Sequence, residues 1–485
     1  MAWNRSAVRI RYGPPIYKLD NTVIASYHKG MVYGNYQLSL HNPWWEEGYN
    51  MDADSKLMEL SGLKYRYIHP LINEYPVEKD VVFTLRGPRR VGKTTLIKLI
   101  IKKLVDQKIP RKNLFYLPCD RIEHFNELYN AVKDYIDRQR VTSKGRIFIF
   151  LDEVSYVKEW QRAVKSLWDD DIVKNCTLLT TGSNAVDLKV SSERLPGRTG
   201  KYFNSEKLFL PLDFFEFYKL LNPEWIGKFE LKDLPKFKKY LEDFMLVGGF
   251  PQVINEYYSN GFIALETYET YTKWVDDDIH KNGKSVESAY RLFKELDKTL
   301  TSRVSYTNLA KDTLFASQQS AQDYLELFDL MYLCFKCNCF LLESRKIDPK
   351  KNKKFYFVDP FIHNALLAKQ DGFLDDAFNY SRKLLAGENV ASTRFEEVVG
   401  SLLQRRFTRL DYGVLAGDAL EVDFVGFDHG KYQLFECKYG KTGLHNYLKF
   451  QKLFESFGGL DILVPGVANV EERSFFTLVG NSFTA

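Results

Sequence analysis

The hydrophobic pattern changes character along the chain. In the first half, short continuous apolar runs alternate with amphipathic stretches. Val81 to Arg86, Asn113 to Leu117, Arg146 to Leu151 and Cys176 to Thr181 read as buried strands, and the residues after Thr94 and from His124 to Arg140 read as helices. Runs without polar alternation suit strands covered on both faces of a parallel sheet, so an α/β class is predicted. Residues 226–300 are helix-rich, with Gly248 to Pro251 as a helix stop. Helices at Asn308–Asp312 and Ser317–Leu330, then alternating strand residues to Phe340, predict a helix-turn-helix followed by a wing. A strand at Phe355–Val358, a helix at Arg394–Leu403, a hairpin from Ala419 to Tyr439 turning at Asp428-His429-Gly430, and a helix at Tyr447–Phe457 form the last unit.

The boundaries are therefore 1–75 for an N-terminal extension, 76–225 for the parallel-sheet domain, 226–300 for a helical lid, 301–350 for a winged helix and 351–485 for a C-terminal α/β domain. At 485 residues, with 45% hydrophobic and 15% aromatic side chains, the chain can fill three or four cores. Six scattered cysteines give no disulfide framework and fit a reducing, cytoplasmic setting. No stretch approaches the ~20 apolar residues needed to cross a bilayer, so no membrane partner is expected. A net charge of +5 neither demands nor excludes nucleic acid.

The first strand runs into Gly87-Pro88-Arg89-Arg90-Val91-Gly92-Lys93-Thr94-Thr95. Glycines at the first and sixth positions let backbone N–H groups converge on a phosphate, and the following helix adds its N-terminal partial charge. This loop is expected to bind ATP, with Lys93 reaching the β- and γ-phosphates and Thr94 ligating Mg²⁺. The third apolar run ends in Asp152 and Glu153. Asp152 would hold Mg²⁺ through water, and Glu153 would activate the attacking water as general base. Ser183 or Asn184, at the end of the next strand, is placed either to sense the γ-phosphate or to cap a helix. Arg198 reads either as an arginine finger, acting in trans in a homo-oligomer, or as a structural ion pair.

These motifs, together with Leu-Asp-Glu-Val and Trp160, Thr-Gly-Ser-Asn, Gly197-Arg198, Leu210 to Phe217, Gly248-Gly249-Phe250-Pro251 and the leading Asn42-Pro43-Trp44-Trp45, resemble archaeal and bacterial AAA+ ATPases whose C-terminal half carries a PD-(D/E)xK-like domain. The resemblance implies an ATPase core, a helical lid, a winged helix and a nuclease-like domain. In a strand, residues two apart share a face, so Glu436 and Lys438 point one way. Asp423 followed by Glu436-x-Lys438 is the carboxylate, carboxylate and lysine set of that fold. Asp423 and Glu436 would bind Mg²⁺, Lys438 would orient the hydrolytic water, and Glu396 or Glu397, of which Glu397 is taken, would complete the metal shell. Charged residues on a solvated hairpin face are the plainer alternative.

Nucleic acid, DNA first, is the expected partner. Gln318, Gln319 and Gln322 would face a groove, and Arg345, Lys346, Lys350, Lys351, Lys353 and Lys354 form the strongest basic cluster, read as phosphate contacts or as a solvated hairpin tip. Cys334, Cys337 and Cys339 lack a second pair of ligands and read as small hydrophobes in a strand. Asn42 to Trp45 is expected to anchor the N-terminal segment by packing. The competing function is a nucleotide-switched signalling or scaffold ATPase whose C-terminal domain is a non-catalytic binding module.

Overall fold

The computed structural model describes residues 35–182, 206–227, 233–415, 417, 420–439 and 450–463. Helix α1 spans Asn35–His41 and α2 Ser55–Gly62. The parallel-sheet domain then runs β1 (Val81–Arg86), α3 (Lys93–Asp106), β2 (Leu114–Pro118), α4 (Phe125–Thr142), β3 (Ile147–Asp152), α5 (Trp160–Asp169), β4 (Cys176–Gly182) and β5 (Glu206–Leu208). Its strands are ordered β2-β3-β4-β1-β5, all parallel, so β4 is inserted between the strand of the phosphate loop and the strand ending in Asp152. Parallel strands expose their carboxyl ends on one edge, which brings Arg86, Asp152 and Gly182 together. The central strands are rich in apolar residues because both faces are covered, and all of β3 and β4 is buried, threonines of β4 included.

Strand β2 is an edge, and Asn42, Trp44 and Trp45 close it. The Asn42 side chain exchanges hydrogen bonds with the Tyr116 backbone, donating to the carbonyl at 2.9 Å and accepting from the N–H at 2.7 Å. Both indoles donate to the Leu114 carbonyl, at 3.0 and 2.9 Å, and Trp44 is fully buried. A side-chain amide thus does what a neighbouring strand would do, and the expected packing role of this segment is met.

After α6 (Phe214–Leu221), the region expected as a lid holds α7 (Leu234–Val247), α8 (Pro251–Asn260), α9 (Leu265–Lys281) and α10 (Val286–Lys298). The break between α7 and α8 falls at Gly248 to Phe250, and the Gly249 N–H donates to Asp359 at 2.7 Å, tying the lid to the C-terminal half. Helices α11 (Tyr306–Asp312) and α12 (Gln318–Leu330) follow as expected, capped by Ser305 and Ser317.

The expected wing is divided. Of β6 (Cys334–Cys337), β7 (Cys339–Leu341), β8 (Lys346–Asp348) and β9 (Lys354–Phe357), β6 pairs with β9, whereas β7 and β8 extend a six-stranded mixed sheet. After α13 (Pro360–Gln370), α14 (Ala377–Leu385) and α15 (Glu388–Arg406), that sheet adds β10 (Arg409–Val414), β11 (Glu421–Asp428), β12 (Lys431–Cys437) and β13 (Leu460–Leu463), with α16 at Gln451–Glu455, in the order β13-β12-β11-β10-β7-β8. The expected boundary at 350 therefore falls inside one sheet. A single apolar cluster runs from Trp44 through the lid to Leu463. Among the described residues, no helix is long and apolar enough to cross a membrane.

Candidate functional site

The loop from β1 to α3 is shaped by two glycines. A Cβ on Gly87 would lie 1.9 Å from the Phe209 carbonyl oxygen, so only glycine fits between loop and β5 exit. Gly92 has φ +107°, a conformation that side chains disfavour, and it starts α3. Lys93 is buried at the helix start, and its ammonium donates to the Gly87 and Pro88 carbonyls at 2.9 and 2.8 Å. Burial lowers its pKa, against the opposing pull of Glu153 and Asp152.

Asp152 ends β3 with its carboxylate held by three hydroxyls. Thr94 donates to it at 2.7 Å, Tyr116 at 2.9 Å, and Thr181, from the adjacent strand, on the other oxygen. Thr94 and Asp152 are two hard oxygen donors already in contact at the base of the loop, which suits Mg²⁺. Glu153 has φ +54°, unusual for a side-chain-bearing residue, and its N–H donates to Thr181 at 3.0 Å.

A cleft of about 570 Å³ opens over the loop. Arg90, Val91, Gly92, Lys93, Thr94, Thr95 and Glu153 form one wall. The other is built from Leu63, Tyr67 and His69 of the N-terminal segment, Phe209, and Pro251 and Gln252 of the lid. These wall residues were not anticipated, because nothing in residues 56–69 has a period or motif. The His69 ring meets Phe209 edge-on at 4.2 Å and accepts from the Leu71 N–H at 3.1 Å. Burial pushes its pKa down to about 4. The loop arginines face the lid: Arg89 pairs with Asp278 of α9 at 2.7 Å and donates to Tyr156 at 3.2 Å, while Arg90 lies 5.6 Å over the Tyr271 ring. Ser183, Asn184 and Arg198 lie outside the described residues.

In the C-terminal sheet, Asp423 and Glu436 stand one step beyond the opposed pair Phe424 and Phe435, and so share a face. The Asp423 carboxylate accepts from the Cys437 N–H at 2.9 Å, the Glu436 carboxylate accepts from the Asp423 N–H at 3.2 Å, and Lys438 pairs with Glu436. The three expected residues are brought together. Glu397 is not beside them: it is fully buried against His363, at 2.7 Å, and Arg394, at 3.1 Å. Glu396 occupies the expected place, accepting from the Tyr356 hydroxyl at 2.7 Å, with burial and the Asp423 charge raising its pKa.

The basic cluster is also redistributed. Lys350 and Lys351 are exposed, but Lys353 is buried, and Lys354, with 1% of its side chain accessible, points into the acidic group. Its ammonium lies 2.7 Å from Glu421, 3.5 Å from Asp423 and 3.6 Å from Glu396. A Mg²⁺ ion does not fit here, since an ammonium already sits among the carboxylates it would need. Among the described residues no three His, Cys, Asp or Glu side chains are arranged to hold a metal ion. Cys334, Cys337 and Cys339 are buried free thiols. On α12, Gln319 and Gln322 are engaged by Asp323 and Glu326 of the same helix, and Gln318 by Thr307, so this face is acidic.

Residues 79–218 match a family described as an AAA domain, and residues 238–372 match a domain of unknown function, DUF8612. An uncharacterized protein of Haemophilus influenzae is 26% identical over 367 residues, covering 72% of this chain and 80% of the relative. The uncharacterized protein MJ1637 of Methanocaldococcus jannaschii is 24% identical over 326 residues, covering 62% and 65%. Among solved structures, the Walker-type ATPase PABY2304 of Pyrococcus abyssi is similar at 15% identity and a TM-score of 0.39, over 59% of this chain and 90% of that one. Sheet order, phosphate loop and family match agree that residues 79–218 carry a P-loop NTPase domain similar to the AAA domain.

Proposed function

We propose that the protein is a Mg²⁺-dependent ATPase that drives its C-terminal half. The observation that carries this reading is the contact between Thr94 and Asp152 at the base of a cleft that Glu153 and the phosphate loop also line. On nucleotide binding, Lys93 would exchange the Gly87 and Pro88 carbonyls for β- and γ-phosphate oxygens, and the loop N–H groups would hold the β-phosphate. Thr94 and Asp152 would hold Mg²⁺, which neutralises charge on the phosphates. Glu153 would take a proton from water as its oxygen bonds to the γ-phosphorus, and the bond to the β-phosphate oxygen would break with its electron pair leaving on ADP. Arg198 would add charge in trans if the chain assembles.

The test is ATP turnover. Asp152→Asn and Glu153→Gln are expected to cost roughly 10²–10³-fold in kcat, with Glu153→Gln still binding nucleotide; unchanged turnover in both would remove the reading.

For the output, we propose that the C-terminal domain, PD-(D/E)xK-like in the placement of Asp423, Glu436 and Lys438, engages nucleic acid through exposed Lys346, Lys350 and Lys351 in a cytoplasmic setting. Binding of labelled DNA should weaken with Lys350→Glu and Lys351→Glu and fall steeply with salt. Salt-insensitive binding of a protein partner instead would favour the scaffold reading. The burial of Lys354 among the carboxylates supports a binding rather than a cutting role for this domain.

A further inference from the structure

The acidic face of the C-terminal sheet gathers Glu421, Asp423 and Glu436 from β11 and β12 with Glu396 from α15. Carboxylates crowded in this way repel unless a cation lies among them. The cation present is part of the chain. Lys354 opens β9, is almost fully enclosed, and directs its ammonium at Glu421, Asp423 and Glu396 at 2.7, 3.5 and 3.6 Å. An ammonium has three N–H donors, and three carboxylates surround it. The Tyr412 ring lies 5.7 Å away as a further wall.

Lys354 is held in place by the segment leading into α11. Lys353 and Val304 exchange both backbone hydrogen bonds at 2.8 Å, and neighbouring Arg303 places its guanidinium 2.8 Å from the second oxygen of Glu421. Two cations next to the helix-turn-helix therefore reach the acidic face of the sheet.

We propose that Lys354 is the built-in cation of this site: it stands where a divalent metal would stand and closes the C-terminal domain to metal-dependent phosphodiester cleavage. One oxygen of each carboxylate accepts a backbone N–H, Asp423 from Cys437 and Glu436 from Asp423, and the other faces an ammonium, with Asp423 Oδ1 3.5 Å from Lys354 and Glu436 Oε1 paired with Lys438. Two positive charges of a metal beside an ammonium that is 1% exposed would repel strongly. The inference concerns this site alone and stands apart from the ATPase reading, so it is tested without nucleotide.

The experiment is Mn²⁺ titration of the full chain, following the free-ion EPR signal, in wild type, Asp423→Asn, Lys354→Met and the double variant. Wild type and Asp423→Asn are expected to give the same isotherm, because the acidic face binds no metal in either. Lys354→Met should gain one saturable Mn²⁺ site that wild type lacks, once a contact charge is removed, and the double variant should lose it. A saturable site in wild type that Asp423→Asn abolishes would overturn the proposal, and this comparison decides even where Lys354→Met does not fold. A folded Lys354→Met with no new site would overturn it equally.

Discussion

Replacing Asn42 by alanine removes three hydrogen bonds from a side chain with no solvent access. They are the donations to Leu38 and Tyr116 carbonyls at 2.8 and 2.9 Å and the acceptance from the Tyr116 N–H at 2.7 Å. The Tyr116 N–H is then left without a partner beneath Trp44 and Trp45, at a cost of about 2 kcal/mol, and the two carbonyls add about 1 kcal/mol between them because each keeps a second lone pair. A loss of about 3 kcal/mol should lower the melting temperature of the ATPase domain by roughly 6–12 °C at the 2–4 °C per kcal/mol usual for this size. Trp45 stacks on Tyr135 at 5.7 Å, so tryptophan fluorescence against urea or temperature reads the transition directly. Asn42→Asp keeps an acceptor for the N–H but turns a carboxylate oxygen toward two carbonyls, and should cost at least as much. Tyr116 also donates to Asp152, so ATP turnover should fall further than in a remote variant of equal instability. A loss below about 0.5 kcal/mol, the scale of an ordinary surface substitution, would refute the idea that this amide closes the sheet edge.

Gly87→Ala should abolish nucleotide binding, because its methyl group cannot share space with the Phe209 carbonyl 1.9 Å away; fluorescent-nucleotide titration reads this, and retained affinity would contradict the packing. Arg89→Ala leaves the buried Asp278 with the Trp274 indole as a partner at 2.7 Å, and should destabilise the attachment of α9 by about 1–3 kcal/mol, visible as faster amide exchange over Leu265–Lys281. Burial holds the pKa of His69 at about 4 in the folded chain, below the ordinary 6.5 of an imidazole, so the unfolded chain binds more protons between those values and stability falls as pH drops through that window. His69→Phe should shrink the loss between about pH 6.5 and 4.5 by about 2 kcal/mol, measured from urea midpoints at both; an unchanged difference would show that His69 does not carry it.

The nucleotide site was legible because its constraints are local. Gly92 answers to a positive φ at the helix start, Gly87 stands at a fixed spacing from Lys93 even though the Phe209 carbonyl that crowds it comes from far along the chain, and Ile147 to Leu151 must be apolar to lie inside a parallel sheet. The far wall of the cleft was not legible, since Tyr67 and His69 become neighbours of Phe209 only when the chain before β1 folds back over β5. Glu396 and Glu397 differ by about 100° around α15, and the roll of a helix that is buried on several sides does not show in its sequence. Lys354 was counted with its basic neighbours for the same reason: its partner Asp423 lies 69 positions away, and a linear count of charge does not distinguish a solvated lysine from an enclosed one. The helix pair α11 and α12 was readable from two short helical stretches with a break between them, but which sheet the following strands join is a long-range choice.

The hairpin β7–β8 has a consequence for how such a chain can change over generations. It is encoded ahead of position 350, yet it completes a sheet whose other strands are encoded after 400, and β7 is paired directly to β10. A recombination between them would hand one descendant a hairpin with no sheet and the other a sheet with a bare edge. Exchange of the C-terminal half as a separate module would therefore have to carry β7 and β8 with it to keep the sheet paired.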